Sequence, residues 1–145
     1  MTKDVLISIR GTQKSEGESP QTIELTTDGK MYRENDAICV SYVESEMSGL
    51  EGVVTTFHVE PGRVVLSREG RMTSKMIFVE GEKFESLYDT GFGAMLLGVC
   101  ARKVQSSLRD DGGTLYVDYA VELEHVPVGN NIYEISVREA SIPQA

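Results

Sequence analysis

Alternation of apolar and polar residues with a period of two is the feature that most constrains the fold of this chain. It is clearest over residues 115–124, where the odd-numbered residues are apolar and the others are mostly polar or small. The same alternation marks residues 5–10, 38–43 and 133–138. Because successive side chains of a β-strand point to opposite faces of its sheet, the pattern predicts strands with one buried and one exposed face.

Turn-forming residues separate these strands at short intervals. Glycine, asparagine and aspartate favour the backbone of tight turns. They occur in residues 33–36, 60–63, 69–70, 80–82, 110–113 and 129–131. Polar loops are predicted at residues 13–20 and 44–52. Strands joined by turns at roughly 8–12-residue spacing are typical of meander sandwiches and barrels, and about eight to ten strands are predicted here.

No segment predicts a long helix. Residues 92–108 are the best candidate, but Val99, Val104 and two glycines within them favour a long strand. Without helices to cover an apolar face, a sheet of this size hides its edges either by closing on itself or by folding into two packed sheets. Of the two, we predict closure: an all-β fold, a single closed antiparallel meander barrel that forms one domain over residues 1–145.

The charge and the apolar content exclude several classes of protein. The chain has 23 acidic and 14 basic residues, a formal net charge of -9, whereas binding to nucleic acids or anionic membranes depends on clustered Lys and Arg. Its longest apolar run, residues 94–101, is far shorter than the about 20 residues that span a bilayer. The first residues lack the apolar core of a secretory signal. We predict a cytoplasmic protein with free thiols and without nucleic-acid or membrane partners.

Several short motifs occur in the order and spacing of a known bacterial family. They are VSY (residues 40–42) before acidic Glu44 and Glu46, then REG (68–70), MIF (76–78), YDT (88–90) with Gly93, GTLYVDY (113–119) and NIYEI (131–135). Together they resemble the YwiB-like family of uncharacterised proteins over most of the chain. The resemblance implies a calycin (lipocalin-like) barrel and no assigned activity. The chain has no tryptophan, so it departs from secreted lipocalins, which carry a Gly-x-Trp motif.

Arg68 is the unusual member of the predicted barrel interior. It is in phase with Val64 and Leu66 and so shares their inward face, where a buried arginine needs a partner for its charge. Hydroxyl side chains are expected at inward positions too, which gives the candidate ligand-binding set Arg68, Tyr42, Thr55, Tyr88, Thr90 and Tyr119. A guanidinium offers a planar fork to a carboxylate, so this set would hold a small amphipathic or carboxylate-bearing ligand. In the alternative interpretation, Arg68 closes one end of the barrel against backbone carbonyls or a nearby acid.

The residue types that most often carry catalysis or metal binding form no recognisable motif. His58 and His125 lack a second group of convergent ligands, and Cys39 and Cys100 lack a CxxC spacing or a paired histidine. We therefore predict no metal, no cofactor and no catalytic residues. Two functions stay open: a barrel that binds a small molecule, and a non-enzymatic structural or interaction module with a side-chain-filled lumen, which could form homo-oligomers. An enzyme that acts at the barrel mouth is the least favoured class.

Overall fold

Strands make up most of the protein. The computed structural model describes residues 2–89 and 92–140. Within these residues there are ten strands: β1 Lys3–Ser15, β2 Gln21–Glu34, β3 Ala37–Val43, β4 Val54–Glu60, β5 Arg63–Glu69, β6 Ser74–Phe78, β7 Lys83–Asp89, β8 Ala94–Ser106, β9 Gly112–Leu123 and β10 Val126–Glu139. Helical structure in the described residues is limited to one 3-10 turn, Glu46–Ser48, and none of it could cross a bilayer. Strand β8 confirms the strand, rather than the helix, predicted within residues 92–108.

The strands form one antiparallel sheet in which neighbours along the chain are also neighbours in space. The order is β6-β5-β4-β3-β2-β1-β10-β9-β8-β7, so β1 pairs with both β2 and β10. The two end strands meet where the backbone amides of Thr73 and Asp89 each donate to the other's carbonyl oxygen over 3.0 Å. The sheet is therefore a nearly closed meander barrel, and the predicted fold class is confirmed.

The centre of the barrel is filled by its own side chains. Phe57, Phe78 and Tyr119 are at most 1% exposed, and the rings of Phe78 and Tyr119 lie 4.6 Å apart. Burying one large apolar side chain stabilises the fold by about 1.5–3 kcal/mol, so this filled centre is a main source of stability. Space for a ligand must then be sought at the ends of the barrel.

One predicted turn is wrong. Residues 129–131 lie inside β10, and the hairpin between β9 and β10 instead turns at Glu124 and His125, which have φ angles of 51° and 69°. Gly129 has a different role, because a Cβ atom there would lie 2.2 Å from the carbonyl oxygen of Lys14. The glycine lets β1 approach β10 closely, beside the β-bulge that β10 forms against β9, and it does not end a strand.

The β1–β2 hairpin extends beyond β3 at one end of the barrel. β1 continues to Ser15, so the loop predicted at residues 13–20 covers only residues 16–20. β2 pairs with β1 from Gln21 to Met31, but it pairs with β3 only from Lys30 onwards. The first part of β2 thus has no strand beside it on the β3 side, which leaves an opening in the wall of the barrel next to the loop of residues 44–53.

Candidate ligand-binding site

A cavity of about 200 Å³ lies at this opening, and we call it the Arg68 cavity. Ile9, Ile23 and Leu25 contribute apolar surface to it, whereas Arg68 and Tyr42 contribute polar groups. Further lining residues come from β10 and from the loop of residues 44–53, among them Glu44, Leu50, Asn131 and Tyr133. The described lining residues include neither cysteine nor histidine, so the cavity offers hydrogen bonds and charge pairing and no thiol or imidazole chemistry.

Arg68 reaches the cavity because it continues the inward alternation of β5. Its Nη2 atom donates a hydrogen bond of 2.8 Å to the hydroxyl of Tyr133. Its Nε atom lies 3.9 Å from Oε2 of Glu44, which is an ion pair but too long for a hydrogen bond. This Nε is shielded from solvent and has no acceptor among the described residues. Burial lowers the pKa of Arg68, but the tyrosine hydroxyls around it raise the pKa by more, so the guanidinium stays charged.

Glu44 supplies the buried negative charge of the site. Its side chain is 3% exposed, and its Oε2 accepts a hydrogen bond of 2.6 Å from the hydroxyl of Thr55. Its backbone amide donates to the carbonyl of Val53, and its carbonyl accepts from the amide of Gly52. These bonds hold the base of the loop in place. A buried carboxylate is costly unless it is paired, and here Arg68 and Thr55 both pair with it.

Three tyrosine hydroxyls surround the charged pair. Burial raises the pKa of Tyr42 well above its usual range, and the nearby carboxylate of Glu44 raises it further. Burial likewise raises the pKa of Tyr119, whose hydroxyl accepts a hydrogen bond of 3.1 Å from Nδ2 of Asn131. The rings of Tyr119 and Tyr133 are stacked with centroids 6.1 Å apart. The hydroxyls of Tyr42 and Tyr119 therefore stay protonated at neutral pH and can either donate or accept hydrogen bonds.

The predicted set of ligand-binding residues is brought together only in part. Arg68 and Tyr42 line the cavity, whereas Thr55 lies fully buried behind Glu44 and Tyr119 lies behind Asn131. Tyr88 is half-buried against the core and is not among the residues that line the cavity. Thr90 lies outside the described residues.

Three residues of the site were missed by the sequence prediction. Glu44 follows the inward alternation of Val40 and Tyr42 beyond the end of β3, but it lies in a predicted polar loop. Asn131 and Tyr133 are in phase with the buried Ile135 of β10. In each case the alternation of inward and outward positions could have indicated that the side chain points into the barrel. For Asn131 this indication was lost because a turn was predicted at residues 129–131.

Residues that could hold a metal ion lie outside the cavity. Among the described residues, two groups of three Cys, His or carboxylate side chains have ligand atoms within 4.8 Å of one another. They are Glu34 with Cys39 and His58, and Glu85 with Glu122 and His125. Neither group contributes to the lining of the Arg68 cavity.

Comparisons with known proteins find similarity both in sequence and in fold. The family model described as Domain of unknown function (DUF1934) matches residues 7–135. The uncharacterized beta-barrel protein YwiB of Bacillus subtilis (strain 168) is 25% identical over 126 residues, which cover 84% of this chain and 87% of that protein. The crystal structure of ywiB protein from Bacillus subtilis matches with a TM-score of 0.85 at 21% identity, over 97% of this chain and 94% of that chain. This structural match shows the shared fold.

Proposed function

We propose that this chain, which belongs to the DUF1934 family of domains of unknown function, binds a small molecule in the Arg68 cavity. Its membership of the YwiB-like family, predicted from the sequence motifs, is confirmed by the comparisons above. The proposed ligand carries a carboxylate or carbonyl oxygen that accepts a hydrogen bond from Arg68. Its apolar part lies against Ile9, Ile23 and Leu25, which line the same cavity.

The strongest support for this proposal is the Nε atom of Arg68, which is buried and has no acceptor among the described residues. A buried donor without a partner costs about 1–3 kcal/mol, and more when the group is charged. A ligand oxygen next to Nε would remove this cost. The hydrogen bond from Nη2 to Tyr133 already fixes the plane of the guanidinium, so the ligand would meet an oriented donor.

The charge balance of the site limits the class of ligand. Glu44 lies 3.9 Å from Arg68 Nε and offsets its positive charge, so an anion is attracted less strongly than it would be by an unpaired arginine. A doubly charged phosphate would also be repelled by the buried carboxylate. The site therefore favours a monocarboxylate or a neutral molecule with a carbonyl group.

The volume of the cavity limits the size of the ligand. The Arg68 cavity has a volume of about 200 Å³. Sites for drug-sized ligands typically have volumes of about 300–1,000 Å³. The ligand is therefore a short, partly apolar molecule, and long-chain lipids of the kind that fill an open barrel are excluded by the packed centre.

Titration with short-chain monocarboxylates tests the proposal directly. Butyrate and hexanoate would be added to the isotopically labelled full chain, and NMR shifts of residues around the cavity would be followed. The variant Arg68→Lys keeps the charge next to Glu44 but removes the Nε donor. We expect its dissociation constant to rise at least roughly tenfold, since a hydrogen bond to a charged group contributes about 1.5–3 kcal/mol.

The matched control is Arg102→Lys, because Arg102 is exposed and pairs with Asp118 away from the cavity. This control should bind the probes as the unmodified chain does. The double variant Arg68→Met with Glu44→Gln replaces the ion pair by neutral side chains of similar volume, so that loss of binding can be separated from loss of folding. Equal binding by the unmodified chain and by both Arg68 variants would rule out the cavity as the site.

The second candidate function is a non-enzymatic interaction module that assembles with further copies of itself. The packed centre formed by Phe57, Phe78 and Tyr119 favours it, because a filled lumen needs no ligand for stability. Native mass spectrometry of the chain purified from its own host separates the two functions. A stoichiometric small adduct that is lost on denaturation supports the ligand-binding barrel, whereas a multimer without adduct supports the interaction module.

We further propose that the protein acts in the cytoplasm. Cys39 and Cys100 are both free thiols, which is typical of a reducing compartment. The net charge of -9 opposes nucleic-acid and anionic-membrane partners. Because Cys39 is buried in the fold, the test is alkylation in host cells lysed directly into denaturant, and modification of both thiols is the expected result.

A further inference from the structure

The outer face of β2, β3 and β4 brings together three side chains that commonly bind metals. Cys39 alternates with the inward-facing Val40, so it points outward, and it is the direct cross-strand partner of His58 on β4. Glu34 on β2 pairs with Ala37, which lies two residues before Cys39 and therefore on the same face of β3. The register of three strands thus places a thiol, an imidazole and a carboxylate on one surface.

The distances between these groups suit one shared ion. The sulfur of Cys39 lies 3.3 Å from Nδ1 of His58, and one ligand atom from each of the three residues lies within 4.8 Å of the others. Zinc is bound at about 2.3 Å by sulfur and at about 2.0 Å by nitrogen, which places two tetrahedral ligand atoms about 3.5 Å apart. The observed sulfur–nitrogen separation is close to this value.

The second nitrogen of His58 provides independent support. A histidine that binds a metal usually donates the proton of its other ring nitrogen to a carboxylate, which fixes the ring. Nε2 of His58 lies 3.5 Å from Oε1 of Glu60, while Nδ1 faces the sulfur. One groove on the outer face of the barrel is lined by all four residues, Glu34, Cys39, His58 and Glu60. An ion can therefore reach them from solvent.

We propose that Glu34, Cys39 and His58 bind a zinc ion, with Glu60 as the positioning residue of His58. Thiolate, imidazole and carboxylate ligands match the preferences of zinc. Three protein ligands leave the fourth tetrahedral position for a water molecule. The thiol of Cys39 releases its proton to solvent when the ion binds, and the bound ion joins β2, β3 and β4.

A cysteine nucleophile is the main alternative for the same residues. Nucleophilic catalysis needs a thiolate that a substrate can reach, whereas Cys39 is 1% exposed. A zinc ion is much smaller than a substrate, so it can reach the sulfur through the groove beside His58.

The group of Glu85, Glu122 and His125 is the natural comparison within the chain. It contains no sulfur, and the ammonium group of Lys83 forms ion pairs with both of its carboxylates. A lysine thus already provides the positive charge that these carboxylates need. The chain has two cysteines and two histidines, so Cys100 and His125 serve as matched controls for Cys39 and His58.

Titration of the reduced, metal-free full chain with Zn²⁺ tests the proposal. Calorimetry should show one bound equivalent, and Co²⁺ in its place should give a thiolate-to-cobalt charge-transfer band. Cys39→Ser should abolish this band. His58→Gln and Glu34→Gln should each weaken zinc binding. Glu60→Gln should keep the band but weaken binding about tenfold or more, as expected for a residue that acts through a ligand.

The control variants Cys100→Ser and His125→Gln should bind zinc as the unmodified chain does. Because Glu34 is exposed, its substitution tests the site without endangering the fold. The proposal is overturned if the unmodified chain binds no zinc, if Cys39→Ser binds it unchanged, or if binding is lost with His125→Gln.

Discussion

At the scale of single residues, the candidate site depends on a buried pair of opposite charges. Arg68 could be singled out from the sequence because a charged residue continued an apolar phase, and such a residue must find a partner. Its partner Glu44 could not be singled out, because an acidic residue in a polar loop is expected in solvent. The ends of the loop are held together by the backbone bonds of Glu44 with Gly52 and Val53, and the alternation of apolar and polar residues does not reveal how such a loop closes.

Replacement of Glu44 by Gln should destabilise the protein by about 3 kcal/mol, because the buried charge of Arg68 loses its counterion. Combining this change with Arg68→Met should cost less than the sum of the two single changes. The free energies of unfolding in urea for the four proteins of this cycle measure the coupling. Glu46→Gln, an exposed change in the same loop, should shift stability by less than about 0.5 kcal/mol. Additive effects of the two single changes would contradict a direct ion pair.

At the scale of elements, alternation identified the strands but composition misplaced one turn. The strands predicted around residues 115–124 and 133–138 correspond to β9 and β10. The turn between them consists of Glu124 and His125 with positive φ angles, which is the geometry of a type I′ hairpin usually formed by Asn-Gly. Turn composition therefore pointed to Gly129 instead. Glu124 tolerates the position because its carboxylate accepts a hydrogen bond from the amide of Leu96 over 2.7 Å.

The side chain of His125 forms no hydrogen bond to the backbone among the described residues, unlike that of Glu124. Nothing therefore offsets the strain of the left-handed backbone conformation at His125. Replacement by Gly should stabilise the protein by up to about 1 kcal/mol, because relief of this strain exceeds the entropy that glycine adds to the unfolded chain. The contact of His125 with Glu85 joins exposed side chains and contributes little. Urea unfolding measures the change. His125→Ala, which removes the same contact but keeps the strain, should give no gain, and a loss of stability with Gly would refute the explanation.

At the scale of the whole molecule, the absence of helices from the sequence pattern left two arrangements of the sheet, a closed barrel or two packed sheets, and the predicted barrel is the one found. The number of strands and their order follow from hairpins between chain neighbours. The pairing of β1 with β10 and the register of each pair depend on contacts between distant segments. Both functional proposals depend on that register, since it joins Arg68 to Tyr133 at one end and Cys39 to His58 on the outer face. The alternation in the sequence predicts which face of the sheet a residue occupies, but it does not predict which residue lies beside it on the neighbouring strand.

The packed barrel should also determine how the protein responds to alkaline pH. Tyrosine in an unfolded chain ionises near pH 10, whereas burial raises the pKa of Tyr42 and Tyr119 well above that value in the fold. Their contribution to stability is therefore complete below about pH 10 and falls as the pH rises further, because the unfolded state then binds fewer protons than the folded state.

Absorbance of tyrosinate, recorded alongside circular dichroism, measures this behaviour. Of the six tyrosines, Tyr42 and Tyr119 should ionise only as the β-sheet signal is lost. In urea, where the chain is unfolded, all six should ionise together near pH 10. Tyr42→Phe should remove one of the late-ionising groups and leave the early part of the titration unchanged. Ionisation of all six tyrosines near pH 10 with an intact sheet signal would mean that water reaches the hydroxyls beside Arg68. In that case Tyr42 and Tyr119 would not be shielded by the fold, and the burial on which the proposed site depends would be wrong.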